Sequence, residues 1–126
     1  MTKILIVDDS QAEITRMMAV LGKAGYWAVS INDPLRLEQT VEIERPNLIL
    51  MDVVMPGRNG FQACRELKSH QEFGRIPVVL VSSKSSQSDI FWAQQQGADG
   101  YVVKPFTPEM LLEKVRQTLD RTAAAA

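Results

Sequence analysis

Five short apolar runs recur along this chain, each followed by a stretch with helical spacing, and no other feature constrains the fold as tightly. The runs are Ile4–Val7, Trp27–Ile31, Leu48–Met51, Val78–Val81 and Tyr101–Val103. An unbroken apolar run of this length suits a strand covered on both faces, because a half-exposed strand alternates with polar residues. None approaches the ~20 apolar residues that a membrane-spanning helix needs.

The intervening segments carry the start and stop signals of helices. The first, from Ser10 to about Ala24, has a serine with Glu13 three residues on, the pattern of a capping box. Ile14, Met17, Met18 and Leu21 follow at helical spacing, and Gly22 and Gly25 mark the end. A second begins at Asp33-Pro34, cap then proline, and stops before Pro46. A third runs from about Gly60 to Ser69, with Phe61, Ala63, Cys64 and Leu67 on its apolar side. The fourth covers roughly Ser86 to Gln96 and ends at Gly97. The fifth starts at Thr107-Pro108 and buries Leu111, Leu112, Val115 and Leu119.

Five β-α units without a repeat or long linker build an α/β fold, a parallel sheet with helices on both faces. The expected organisation is a single domain over residues 1–122, with residues 123–126 a disordered or tag-like Ala tail. A chain of 126 residues is long enough to bury a real core. Its net charge of −1 gives no electrostatic reason to expect nucleic acid or an anionic membrane as a partner. Cys64 is the only cysteine, which excludes a disulfide framework and a Cys-based metal site and leaves a small buried thiol. No signal-peptide pattern is present, so a cytoplasmic location is expected.

In such sheets ligands gather outside the carboxyl ends of the strands, where strand order reverses. The first run ends in Asp8-Asp9, the third in Asp52, the fourth in Ser82 and the fifth in Lys104. Each acid taken alone could cap a helix. Acids at two strand ends, with serine and lysine ending two others, point instead to a shared site. Clustered carboxylates repel in a partly desolvated crevice, and a hard divalent cation such as Mg²⁺ (or Mn²⁺) relieves that repulsion. A cation holding phosphate oxygens beside a carboxylate sets up attack on phosphorus and an aspartyl phosphate. Asp52, alone at its strand end, is the candidate nucleophile. Asp8 and Asp9 are candidate cation ligands, and Ser82 and Lys104 candidate binders of the phosphoryl oxygens.

These residues resemble the receiver domain of two-component response regulators, the CheY-like family. The resemblance runs from about Lys3 to Leu119 through "VDDS", "LMDVVMPGRNG", "VVLVSS" and "GADGYVVKPF". It implies a flavodoxin-like (βα)5 fold with strand order 2-1-3-4-5, and Asp52 as phosphoacceptor for a histidine kinase. It also implies Mg²⁺ held by Asp9, Asp52 and the Val54 carbonyl, with Asp8 acting through water, and a cis peptide before Pro105. Ser82 and Tyr101 would be the switch pair, and Val54, Ser83 and Lys84 would tune the lifetime of the phosphate. Output would then be binding of a downstream protein by the fourth helix, fifth strand and fifth helix, in a monomer or weak dimer. With the fifth helix last in the chain, no DNA-binding or catalytic output domain is expected. The stretches "NGFQACREL" and "DIFWAQQQGA" are also similar to regulators of pilus-based (twitching) motility, which suggests a chemotaxis or pilus pathway.

Two functions compete with this signalling switch, which is not an enzyme beyond its own phosphorylation and slow dephosphorylation. An aspartate-nucleophile phosphatase of the haloacid dehalogenase type needs a second acid where Val54 stands, and a cap domain. A phosphorylation-independent module usually lacks one of the key residues, and all are present. A flavodoxin is excluded by the acidic "DDSQAE" loop, where a flavin phosphate needs hydroxyl and backbone donors. In the fourth helix, Ile90, Phe91 and Trp92 are consecutive and cannot all face inward, so at least one is expected to be partly exposed. His70, at a helix end, reads as a solvated side chain.

Overall fold

The computed structural model describes residues 1–125. Five strands form the sheet: β1 (Lys3–Val7), β2 (Trp27–Ile31), β3 (Leu48–Asp52), β4 (Val78–Ser82) and β5 (Gly100–Val103). Five helices follow them in turn: α1 (Gln11–Lys23), α2 (Leu37–Glu44), α3 (Gly60–Lys68), α4 (Gln87–Gln95) and α5 (Pro108–Ala125). Every pairing is parallel and the strand order is β2-β1-β3-β4-β5, as the sequence resemblance implies. The order reverses between β1 and β3, so the crevice opens beside the carboxyl ends of those two strands.

The apolar runs are unbroken because both faces of the sheet are covered. Ile4, Ile6, Leu48, Leu50, Val79 and Val81 face α1 and α5, where they meet Ile14, Met17, Leu21, Leu111 and Val115. Leu5, Val7, Ile49, Met51 and Leu80 face the other way, onto Leu37, Val41, Ala63, Cys64 and Leu67. Each such side chain contributes roughly 1.5–3 kcal/mol by leaving water. The edge strand β2 departs from this pattern: Trp27 is half exposed, and Lys3 lies over its ring.

Several helix details differ from the sequence expectation. Asp33 does cap, accepting from the Leu35 N–H at 3.0 Å, but the turn it starts is a 3-10 turn over Pro34–Arg36, and α2 begins only at Leu37. Arg45, with a left-handed φ of 48°, ends α2 because the residue before Pro46 is disfavoured in the helical region. On α5, Leu112 and Leu119 are only half-buried, while Thr118 is buried and its hydroxyl donates to the Lys114 carbonyl. Helix α5 continues through Ala125, in keeping with the high helix propensity of alanine, and Ala126 lies outside the described residues. Among the described residues, no helix is long and apolar enough to cross a membrane.

Candidate functional site

The carboxyl ends of β1 and β3 bring Asp8, Asp9 and Asp52 together, each offering an oxygen within 4.8 Å of the others. Asp8 is fully buried, Asp52 is 9% exposed, and Asp9 stands open to solvent. Oxygens that share an octahedral Mg²⁺ at about 2.1 Å lie roughly 3–4 Å apart. A hard cation therefore fits this donor set with small side-chain adjustments, and the oxygens are of the type it prefers.

Lys104, just beyond β5, reaches across the crevice. Its Nζ lies 3.1 Å from Asp8 Oδ2, 3.5 Å from Asp52 Oδ1 and 3.9 Å from Glu13 Oε2. The peptide between Lys104 and Pro105 is cis. Burial works against the Lys104 charge, but Asp52 and Asp8 outweigh it and hold the ammonium above its ordinary pKa. Asp52 moves the other way from most paired carboxylates. Burial raises its pKa and Asp8 adds to the rise, more than Lys104 and the Val53 N–H offset.

Asp52 is oriented by its own strand end. Its Oδ1 accepts from the Val53 N–H at 2.9 Å, and among the described residues no hydrogen bond reaches Oδ2. The β3–α3 loop is pinned close to it. Gly60 N–H donates to the Val53 carbonyl at 2.7 Å, and a Cβ at Gly60 would collide with the Asp52 backbone. Asn59 then caps α3 through the Gln62 N–H.

The registers set the remaining residues. Asp52 lies beside Val81, so Ser82 is one residue further along the neighbouring strand. Ser82 is fully buried, and its Oγ accepts from the Lys84 N–H at 3.1 Å. The carbonyl of the same Lys84 accepts from the Tyr101 hydroxyl at 2.7 Å. One peptide segment thus joins Ser82, at the crevice, to Tyr101, on the outer side of β5. Val54, Ser83 and Lys84 are exposed around the crevice mouth.

Other expectations resolve as follows. Cys64 is buried, and desolvation pushes its thiol up to about 12, so it is unreactive. His70 is exposed and orders its own turn, its Nδ1 accepting from the Glu72 and Phe73 N–H groups while the ring stacks on Phe73. In α4, Ala93 is the buried residue; Phe91 is 59% and Trp92 51% exposed, and Trp92 lines a shallow groove with Phe61 and Arg65.

Two residues near the site were missed by sequence reasoning. Glu13 reads as the second half of a capping box, yet it points toward Lys104. Arg58 lies inside "MPGRNG", where nothing marks it, and clamps the loop after β3. Its guanidinium is bidentate on Glu38 and also reaches Glu66 and the Pro34 carbonyl. No local pattern could have found these partners, which stand 8 to 24 residues away.

A doubly covered parallel sheet of order 2-1-3-4-5, with acids, a hydroxyl and a lysine on its carboxyl edge, defines the class of receiver domains. The chain belongs to the response regulator receiver family, whose domain matches residues 4–116. It is 40% identical over 119 residues to Protein PilH of Pseudomonas aeruginosa, covering 94% of this chain and 98% of that protein. It is 32% identical to the alkaline phosphatase synthesis transcriptional regulatory protein PhoP of Bacillus subtilis, of which it spans about half (51%). The fold superposes on the chemotaxis protein CheY4 of Vibrio cholerae with a TM-score of 0.87 at 28% identity, over 94% of this chain and 98% of that one. The molecule is thus a receiver of a two-component system, and receivers are signalling switches rather than conventional enzymes.

Proposed function

We propose that Asp52 accepts a phosphoryl group from a partner histidine kinase and that the change at Ser82 and Tyr101 alters the α4-β5-α5 face, which then binds a downstream protein. The observation that carries this reading is the pairing of three convergent carboxylates with one ammonium that contacts both Asp8 and Asp52. Asp52 Oδ1 is engaged by Val53 and Lys104, so Oδ2 is the oxygen whose lone pair forms the new O–P bond. The donor's P–N bond breaks, its electron pair stays on the imidazole nitrogen, and that nitrogen takes a proton from solvent. Asp9, Asp52 and the Val54 carbonyl would hold Mg²⁺, with Asp8 acting through water, and the cation would supply positive charge against the phosphoryl oxygens. Lys104 supplies the remaining positive charge.

After transfer, Ser82 turns its hydroxyl to donate to the phosphoryl group and gives up the Lys84 N–H. The segment after β4 follows, and Tyr101 turns inward behind Ser82. This is a two-state element biased by one added charge. Val54, Ser83 and Lys84, exposed at the mouth, govern water access and hence the phosphoryl lifetime. The resemblance to pilus-motility regulators, together with the identity to PilH, supports an output in motility or chemotaxis, with the protein acting in the cytoplasm as a monomer or weak dimer.

Incubation with acetyl phosphate and Mg²⁺, followed by intact mass, tests the reading. One phosphoryl adduct is expected in the wild type and none in Asp52→Asn. No adduct with any divalent cation would leave a phosphorylation-independent interaction module, and steady turnover of phosphate esters would indicate a phosphatase.

A further inference from the structure

Helices α1 and α4 begin with the same pattern, a serine and an acid three residues on, but only one closes its capping box. At α4 the Asp89 carboxylate accepts from the Ser86 N–H at 3.2 Å while Ser86 Oγ accepts from the Asp89 N–H at 3.0 Å. At α1 the Ser10 Oγ does accept from the Glu13 N–H, at 3.3 Å, but the return bond is absent. The Ser10 N–H is already taken by Asp8 Oδ1 at 2.9 Å. Asp8 therefore displaces Glu13 from its ordinary partner.

The released carboxylate turns into the crevice. Among the described residues, Glu13 Oε2 is buried without a hydrogen-bond partner, and the ammonium of Lys104, 3.9 Å away, faces it. Arg16, three residues on, is committed elsewhere: its guanidinium donates to the Phe106 carbonyl at 2.5 Å and lies over the Phe106 ring. A buried carboxylate oxygen without donors is costly unless a positive charge stays near. Any movement of Lys104 toward a group on Asp52 takes that charge away from Glu13.

We propose that Glu13 is a positioning residue that acts through Lys104, holding the ammonium on the α1 side of the crevice and opposing its transfer to the phosphoryl group. The proposal rests on Asp52 being the phosphoacceptor. The ammonium lies 3.1 Å from Asp8 and 3.5 Å from Asp52, and Glu13, at 3.9 Å, competes with them for it, which leaves the aspartates freer for a cation; once Asp52 is phosphorylated, Glu13 competes with the product for the lysine. Glu13 thus favours cation binding and disfavours phosphoryl capture.

The test is a double-mutant cycle of Glu13→Gln and Lys104→Met, with folding checked by circular dichroism. The glutamine keeps the backbone N–H that binds Ser10, and the methionine keeps the length of the lysine stem. Two quantities are read: the acetyl phosphate labelling rate at saturating Mg²⁺ by intact mass, and the Mg²⁺ dissociation constant by calorimetry. In the Lys104 background, Glu13→Gln should speed labelling about fivefold and weaken Mg²⁺ about threefold, the scale of a partly exposed ion pair. Both effects should vanish in the Lys104→Met background. If they persist there, Glu13 acts by its own charge, and if both are absent in the Lys104 background it has no role; either result overturns the proposal while leaving Asp52 as acceptor. If the wild type takes no adduct at Asp52, the underlying reading fails and the proposal with it.

Discussion

Arg58 and Lys104 each face several carboxylates, yet Glu38 beside the first and Asp52 beside the second respond in opposite directions. Around Arg58 the geometry is complete. Glu38 takes two parallel hydrogen bonds and Glu66 a further one, and the side chain is only 9% exposed. Hydrogen bonding to Arg58 holds the Glu38 carboxyl below its ordinary range, and the same bond raises Arg58. Around Lys104 one ammonium is shared among Asp8, Asp52 and Glu13, with Asp9 close by, and Asp52 is pushed up by burial and by Asp8. A planar fork can satisfy two carboxylates at once, while a point charge leaves several partly unpaired. The first arrangement is finished and structural. The second is left short of positive charge, which suits the cation and phosphoryl group proposed for it.

Breaking the finished centre should have the largest effect on stability. Arg58→Met keeps much of the buried stem but leaves Glu38 and Glu66 without their partner. Thermal unfolding should show a loss of about 1–2 kcal/mol, a fall of roughly 5 °C in Tm. At the unfinished centre the opposite sign is expected. Asp52→Asn removes a charge that its surroundings disfavour, so without divalent cation it should raise Tm at neutral pH by about 3 °C. Its raised pKa means that the folded state holds this proton more tightly than the unfolded chain. The stability from protonated Asp52 is present at acid pH and lost as pH rises through that pKa. The gap between variant and wild type should therefore open from about pH 4 to pH 7 in melts across that range.

Glu38→Gln sharpens the contrast with a smaller effect of opposite pH sign. The depressed Glu38 pKa gives stability that is present above the ordinary carboxylate pKa and lost as pH falls through the depressed value. The wild-type advantage over the glutamine variant should be seen at pH 7 and fade below about pH 4 in the same melts. Arg116→Gln sets the lower bound. Its partners Glu113 and Asp120 lie on the exposed face of α5, and no measurable shift of the midpoint is expected in denaturant titration.

Much of the fold was legible because its signals are local. The apolar runs located all five strands, and the termini of α1, α3 and α4 followed from caps and glycines to within a residue or two. The acids, Ser82 and Lys104 were legible as a site because parallel strands place their carboxyl ends on one edge. The fates of Glu13 and Arg58 were not. The Ser10-Glu13 pattern is as good a capping box as Ser86-Asp89, and only the fold shows that Asp8 has taken the serine N–H. Trp27 and Trp92 illustrate the same limit, since an apolar residue in an apolar run carries no label for the edge strand or the open helix face.

The sequence by itself determined the alternation of strands and helices, the chemistry available at each strand end and, through its motifs, the resemblance to receivers. Its information is one-dimensional: periodicity, caps and terminal residues act over a few positions. Tertiary structure decided which charges are satisfied and which remain short of partners. That depends on contacts between residues far apart in the chain, Lys104 with Asp8 and Arg58 with Glu38, and on how far burial strips each group of water.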